Sequence, residues 1–396
     1  MNQPYYFTWT KQEDAPQLEI QTTTQDSYVL KDNQEVYDLS SCSYHLSFGL
    51  RNDTLTKVIT TQYHDLPVAG PKIVYPLKQE TTKKLINFLE LEDNGKIFYT
   101  VSGAEAIENA LKIARQYTGK DIILSRKKSY HGATVGALSI TGDWRRDGSP
   151  TMDALTEFIP EPDALNALEE TEELINKIGS SKIAALCLES ITGGNGVIIP
   201  TQKWYDGIQA LCKKYEILLI LDEVVCGFAR TGRNFGFHNY KLVPDIVCMA
   251  KGISGGLFPF GAVYTSEKIS KYFDKNVLSC GLTNYAHPVG LKLCSAIIDL
   301  IHTQEFNQNF KALEDVLSKF SKRIITLENI VEVRAIGLLA AIQTKGIELD
   351  WNYFIKNGIY INSSNGALIL TPILTTTPKR LEKALEKLED AIKDLS

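Results

Sequence analysis

The sequence lacks the marks of several large protein classes. None of its apolar runs approaches the ~20 residues that span a bilayer, and its opening, MNQPYYFTWTKQEDAP, has no basic-then-apolar order of a secretory signal. The expectation is a cytoplasmic protein without membrane contact. Positive charge is in short supply, 42 Lys+Arg against 47 Asp+Glu, which leaves no basic footprint for nucleic acid or an anionic lipid surface. The six histidines show no HxxxH or similar spacing, so no metal site is expected. Seven cysteines (Cys42, Cys187, Cys212, Cys226, Cys248, Cys280 and Cys294) form no CxxC pair. Several sit inside apolar runs, as reduced core thiols of a cytosolic protein do. Internal repeats and low-complexity tracts are absent too.

What is present is a chain of 396 residues with an ordinary 44% of hydrophobic and 22% of charged residues. That is enough for a large core and for two domains rather than one. The first forty-odd residues read as extended, with a hairpin tip at Lys31-Asp32-Asn33-Gln34. From about residue 78 to about 265 helical and strand patterns alternate, which predicts an α/β fold with a mostly parallel, helix-covered sheet. After about residue 290, one long helical stretch, short strands and a closing amphipathic helix capped by Thr377-Pro378 predict a smaller α+β domain. The expected division is an N-terminal segment, 1–50, belonging to the small domain, a large domain, 51–288, and the C-terminal small domain, 289–396.

The centre of the pattern is 216–261. One apolar run, Ile217–Leu221, stops on Asp222 and Glu223; a second, Ile246–Ala250, stops on Lys251 and a glycine-rich turn. Such runs read as buried parallel strands, and charges at their carboxyl ends lie where open α/β sheets bind ligands. A third element, TVSGAEA, turns from strand into the amphipathic helix AEAIENALKIARQYTG, with Ser102 and Glu105 spaced as a capping box. Its first backbone N–H groups form an anion site, most often for phosphate. An amine among apolar neighbours suits a carbonyl compound, and an acid nearby suits a protonated ring nitrogen. Phosphate site, amine and acid together meet the requirements of pyridoxal 5′-phosphate.

These stretches carry a resemblance. LDEVVCGFARTG followed by MAKGISGGLFPFGAV resembles the signature of the class III (ω-) aminotransferases, a branch of the fold type I pyridoxal-phosphate enzymes. SGAEAIENALKIAR, SYHGATVGALSITG, CGLTNYAHPVG and RAIGLLAAI are similar to further family motifs, in order, over roughly residues 96 to 343. The resemblance implies a seven-stranded, mostly parallel sheet and a homodimer with shared active sites. It implies Lys251 as the residue that binds the cofactor and shuttles a proton, and Asp222 as the partner of the pyridine nitrogen. Ser102, Gly103 and Ala104 would cradle the phosphate, and Val224 and Tyr130 would sandwich the ring. His131 would stand beside Tyr130 in a structural role, Glu189 near cofactor and substrate, and Thr283 at the phosphate of the neighbouring subunit.

Departures from the family pattern bear on the substrate. HGA at 131–133 stands where 4-aminobutyrate enzymes have HGR, and ALILTPIL lacks the arginine common in members acting on α-amino acids. The implied reaction is therefore ping-pong transamination from an ω-amine or ω-amino acid of the taurine, β-alanine or diamine type to pyruvate or 2-oxoglutarate. A racemase, aminomutase or phospholyase on the same fold is the alternative. Arg145, in GDWRRDG, is a candidate anion contact, although paired loop arginines are often only solvated. Trp9, in the aromatic segment Tyr5–Trp9, is a candidate for the substrate mouth, the other reading being a contact with the partner subunit.

Overall fold

The computed structural model describes residues 3–395. Three short strands come first: β1 (Ile20–Thr23), β2 (Ser27–Leu30) and β3 (Glu35–Asp38). The β2–β3 hairpin turns at 31–34, where Asn33 takes φ 67° and Asp32 accepts from Gln34 N at 3.0 Å. Seven strands then follow: β4 (Lys96–Thr100), β5 (Ile122–Arg126), β6 (Thr156–Ile159), β7 (Ile183–Glu189), β8 (Leu218–Asp222), β9 (Ile246–Met249) and β10 (Gly261–Thr265). They form one sheet in the order β4-β10-β9-β8-β7-β5-β6. Only β10 runs against its neighbours β4 and β9; the other pairings are parallel.

Both faces of this sheet are covered, and strand alternation shows it directly. Leu218 and Ile220 of β8, with Ile246 and Cys248 of β9, pack on one side with the helix Gly103–Thr118. Leu219 and Leu221, with Val247 and Met249, pack on the other with Trp204, Tyr205 and Ile208 of the helix Gln202–Tyr215. Each buried Leu or Ile contributes about 1.5–3 kcal/mol relative to exposure. The Gly103–Thr118 helix buries Ala106, Ile107, Ala110, Leu111 and Ala114, spaced on one face, and stops at Gly119 with φ 67°. Its capping differs slightly from the expected box. Ser102 Oγ accepts from Glu105 N at 3.2 Å, but the Glu105 carboxylate takes Val101 N at 3.0 Å, one residue further back.

The long helical stretch expected after residue 290 is two helices, Pro288–Ile301 and Gln304–Ile324. Thr303 separates them, its hydroxyl accepting from Phe306 N at 3.2 Å; apolar periodicity continues on either side, which hides the break. Helix Pro76–Phe88 starts earlier than its pattern indicates, with proline in the first turn, and helix Asp53–Asp65 had no clear signal in its polar sequence. The remaining strands are β11 (Ile330–Ile336), β12 (Leu339–Thr344), β13 (Ile359–Tyr360), β14 (Asn362–Ser364) and β15 (Ala367–Leu370). Four make an antiparallel sheet, β11-β12-β15-β14, whereas β13 joins β3 in parallel, Ile359 opposite Tyr37. The two ends of the chain thus share a sheet.

Residues Ser41, Cys42, Ser43 and Tyr44 follow β3 with φ of 44°, 47°, 62° and 72°, a left-handed turn built without glycine. Asp38, buried and with its pKa raised to about 6 by burial, anchors it by accepting from Ser40 N at 2.8 Å and Cys42 N at 2.7 Å. Ser41 Oγ donates to Thr371 O at 2.5 Å. Left-handed backbone costs an L-residue roughly 1–2 kcal/mol, partly offset in glycine by its greater unfolded freedom. Cys42→Gly is expected to stabilise the fold by about 0.5–1 kcal/mol, seen as a rise of one or two degrees in Tm; a lower Tm would show that the turn carries no strain.

Candidate active site

The sheet brings the two acid-bearing strand ends side by side, because β7 and β8 are parallel neighbours with Glu189 opposite Asp222. The next strand, β9, ends at Met249, and after extended Ala250 the chain turns at Lys251 with φ 48°. Gly255 and Gly256 continue the turn at φ 63° and 76°. A Cβ at Gly256 would collide with the carbonyl of His45, so glycine there lets the left-handed turn approach the lysine.

Asp222 is 4% exposed and fully engaged. One carboxylate oxygen lies 2.7 Å from His131 Nδ1, and the other accepts from Val224 N at 3.0 Å. His131 is itself buried, its backbone N–H on Thr141 Oγ1 at 2.9 Å. Glu189 accepts from Tyr130 N at 3.2 Å and Gly193 N at 2.8 Å, and burial raises its pKa. Glu223, next to Asp222, turns away from the cavity and accepts from Gly236 N at 2.7 Å and Phe237 N at 2.9 Å; burial pushes its pKa up to about 7. Cys226 is a buried filler whose thiol donates to Ile191 O at 2.9 Å. All seven cysteines are free.

Lys251 faces a cavity of about 490 Å³. Burial pulls its amine pKa down, while the charges of Asp222 and Glu189 oppose the shift. Its Nζ stands 5.4 Å from the ring centroid of Tyr44, delivered by the left-handed turn. Gly103 and Ala104, the first residues of the Gly103–Thr118 helix, form another wall. Their N–H groups have no carbonyl four residues back within the helix. Space there is tight: a Cβ on Gly103 would stand 2.9 Å from Val224 Cγ1, and one on Gly132, at φ 134°, would stand 2.6 Å from Ala104 Cβ. Backbone itself therefore lines this wall.

Of the residues singled out in the sequence, Lys251, Asp222, Gly103, Ala104, Tyr130, His131, Glu189, Val224, Trp9 and Arg145 all border this one cavity. Ser102 does not border it, its hydroxyl being used as the helix cap. Thr283 is exposed, outside the cavity of its own chain. The sequence reading missed Tyr44 and the β14 residues Asn362, Ser363 and Ser364, which also line the cavity. No motif announces them; they arrive through the shared N- and C-terminal sheet. Among the described residues no cluster suited to a metal ion is present, and no helix is long and apolar enough to cross a membrane.

The donor set fits pyridoxal phosphate: unpaired helix N–H groups for a phosphate, a buried carboxylate held by histidine, and an amine of lowered pKa around one cavity. Fold and site define a pyridoxal-phosphate-dependent transferase of fold type I. The sequence profile of the class III aminotransferases matches residues 9–392, and the chain belongs to that family. It is 30% identical over 355 residues to "Gamma aminobutyrate transaminase 2" of Solanum lycopersicum, covering 80% of this chain and 78% of that one. It is 25% identical over 417 residues to the putrescine–pyruvate aminotransferase of Pseudomonas aeruginosa, covering 96% and 91%. Among solved structures, the taurine:2-oxoglutarate aminotransferase of Bifidobacterium kashiwanohense, in complex with pyridoxal phosphate and glutamate, superposes with a TM-score of 0.91 at 28% identity, covering 99% of this chain and 96% of that one. This chain is thus an aminotransferase of the ω type that uses pyridoxal phosphate.

Proposed function

We propose that this enzyme moves an amino group from an ω-amine or ω-amino acid, of the taurine, β-alanine or diamine type, to pyruvate or 2-oxoglutarate by a ping-pong reaction. The observation that carries this reading is where guanidinium groups are missing. Ala133 is exposed and off the cavity, and β15 presents no arginine, so the two positions at which the family resemblance would place an arginine for the carboxylate of 4-aminobutyrate or an α-amino acid carry no charge. The names of the relatives support an ω-amine and span three donors.

Bound pyridoxal phosphate supplies a carbonyl that takes up the amino group and a ring that withdraws electrons from the adjacent carbon. The chain's residues have these proposed roles. Lys251 holds the cofactor and, as a free amine, moves a proton to and from the substrate carbon. Asp222, oriented by His131 and Val224 N, would pair with the ring nitrogen. Gly103 and Ala104 would bind the phosphate, and Val224 and Tyr130 would pack on the ring faces. Thr283, exposed on its own subunit, fits a contact with the phosphate of a second copy, and a cytoplasmic homodimer remains the proposed assembly. So does the division into 1–50, 51–288 and 289–396.

The test is the visible spectrum of the purified enzyme titrated with taurine, β-alanine, putrescine, 4-aminobutyrate and ornithine in the absence of acceptor. The expected result is loss of the cofactor band with an ω-donor and its return on adding a keto acid. A band unmoved by all five donors would overturn the reading.

A further inference from the structure

We propose that Arg145 is the anion anchor of the cavity and makes the enzyme selective for amines carrying a carboxylate or sulfonate at the end remote from the amino group. The inference rests on the reading of this cavity as the site of amino transfer, and it narrows that reading by setting acidic donors above diamines.

Arg145 lies in the turn Trp144–Gly148 that follows the loop bearing Tyr130 and His131. Its guanidinium is boxed by three aromatic rings, 4.6 Å from the centroid of Tyr130, 4.9 Å from Trp144 and 5.8 Å from Trp9. Trp9 in turn meets Tyr130 and Trp144 edge-on, at 6.2 and 6.0 Å between centroids. Rings on several sides fix the plane of a guanidinium and strip water from it, so its remaining donors act in a drier setting.

One edge of that plane is already held. Arg145 Nη1 donates to Asp143 Oδ2 at 2.5 Å, and Arg145 N donates to Asp143 Oδ1 at 3.0 Å. Asp143 is itself pinned by Asn195 Nδ2 at 3.1 Å. The Nε and Nη2 donors of Arg145 have no hydrogen-bond partner among the described residues, and the side chain is 24% exposed, on the cavity. A free pair of N–H groups on a planar fork is the geometry that takes a carboxylate or sulfonate by two hydrogen bonds.

The other charges of the cavity cannot do this work. Asp222 and Glu189 are anions, and both are occupied by His131 and by backbone N–H groups. Lys251 is committed to the amino group. Among the cavity-lining residues described, Arg145 is the remaining cation. Its charge is felt at Lys251, Tyr44 and Tyr130, lowering each pKa against the effect of burial in the tyrosines and with it in the lysine. Anchor and reacting amine therefore share one small space, suited to a short donor with its acid at the far end. A second ammonium group placed there would meet the guanidinium and be repelled. Keto acids bring a carboxylate to the same cavity, so both halves of the reaction would use this arginine.

The experiment compares the holoenzyme with Arg145→Gln and Arg145→Lys in two readouts. In the first, tryptophan fluorescence is titrated with propane-1-sulfonate and propionate, which carry the acid but no amine. Saturable binding is expected in the wild type, weakened about 10- to 100-fold in Arg145→Gln and partly restored in Arg145→Lys. In the second, donor half-reactions are followed with taurine, β-alanine, putrescine and propylamine. The specificity constant for the two acidic donors is expected to fall about 10- to 100-fold in Arg145→Gln, chiefly through KM, with a loss for propylamine at least tenfold smaller. Equal losses for charged and uncharged amines, or none for the acids, would overturn the proposal. A wild type that prefers putrescine to both acids would overturn it too while leaving amino transfer intact; failure of every amine would instead remove the reading of the site itself.

Discussion

Lys251→Ala is expected to reduce amino transfer by about 10⁴-fold or more, while the protein folds with its usual secondary structure. The size follows from the two roles proposed for this one side chain: an amine that holds the cofactor in place, and a base that moves the proton, the latter alone being worth about 10²–10⁴-fold. Nothing else around the cavity can substitute. His131, the one histidine bordering it among the described residues, is buried against Asp222 and Ser125, and the acids are tied to backbone donors. The fold should survive because the lysine side chain points into the cavity, and alanine removes no core contact of β9. Two measurements check the prediction. The first is the rate of donor-dependent product formation. The second is mass spectrometry after borohydride treatment, which should find the cofactor on the peptide containing Lys251 in the wild type and on none in the variant. Turnover within tenfold of wild type would remove Lys251 from the chemistry.

Asp222→Asn has the second largest expected effect, about 10²–10⁴-fold in rate, because the change removes a charge and leaves a shape. The asparagine carbonyl oxygen can still accept from Val224 N, and its size matches the space beside His131. What is lost is the anion that would keep a ring nitrogen protonated. Stability should change little, since Asp222 and Glu189 are like charges at adjacent buried strand ends. Removing one relieves repulsion and lets the raised pKa of Glu189, which burial and Asp222 push up in that order, move back toward the usual range. The checks are the rate, the thermal midpoint and a pH titration of the cofactor band. A rate close to wild type would take Asp222 out of the site, and a collapse of the thermal midpoint would make its role structural.

Much of this was legible because buried parallel strands have a strong and simple signature. Ile217–Leu221 and Ile246–Ala250 are apolar on both faces, so they must lie inside, and the charges that end them must lie at the sheet's carboxyl edge. The helix after Ser102 carries its cap, its apolar face and its terminal glycine in consecutive residues, and local rules suffice to place it. The break at Thr303 was not legible in the same way, because the apolar period runs on through it.

The cavity's other half depended on contacts between residues far apart in the chain. Tyr44 reaches Lys251 only because Asp38 and Thr371 hold a left-handed turn that no residue preference favours. Asn362–Ser364 reach it because β14 follows β13, and β13 pairs with β3 from the opposite end of the chain. The aromatic box around Arg145 takes Trp9, Tyr130 and Trp144 from separate segments. Sequence alone therefore determined the fold class, the family resemblance, the cofactor chemistry and the strand-end charges, since each follows from periodicity and short motifs within one element. Tertiary structure decided which neutral and aromatic side chains surround the cavity and which cation is left with free donors. Those depend on packing between distant segments, which leaves no local pattern to read.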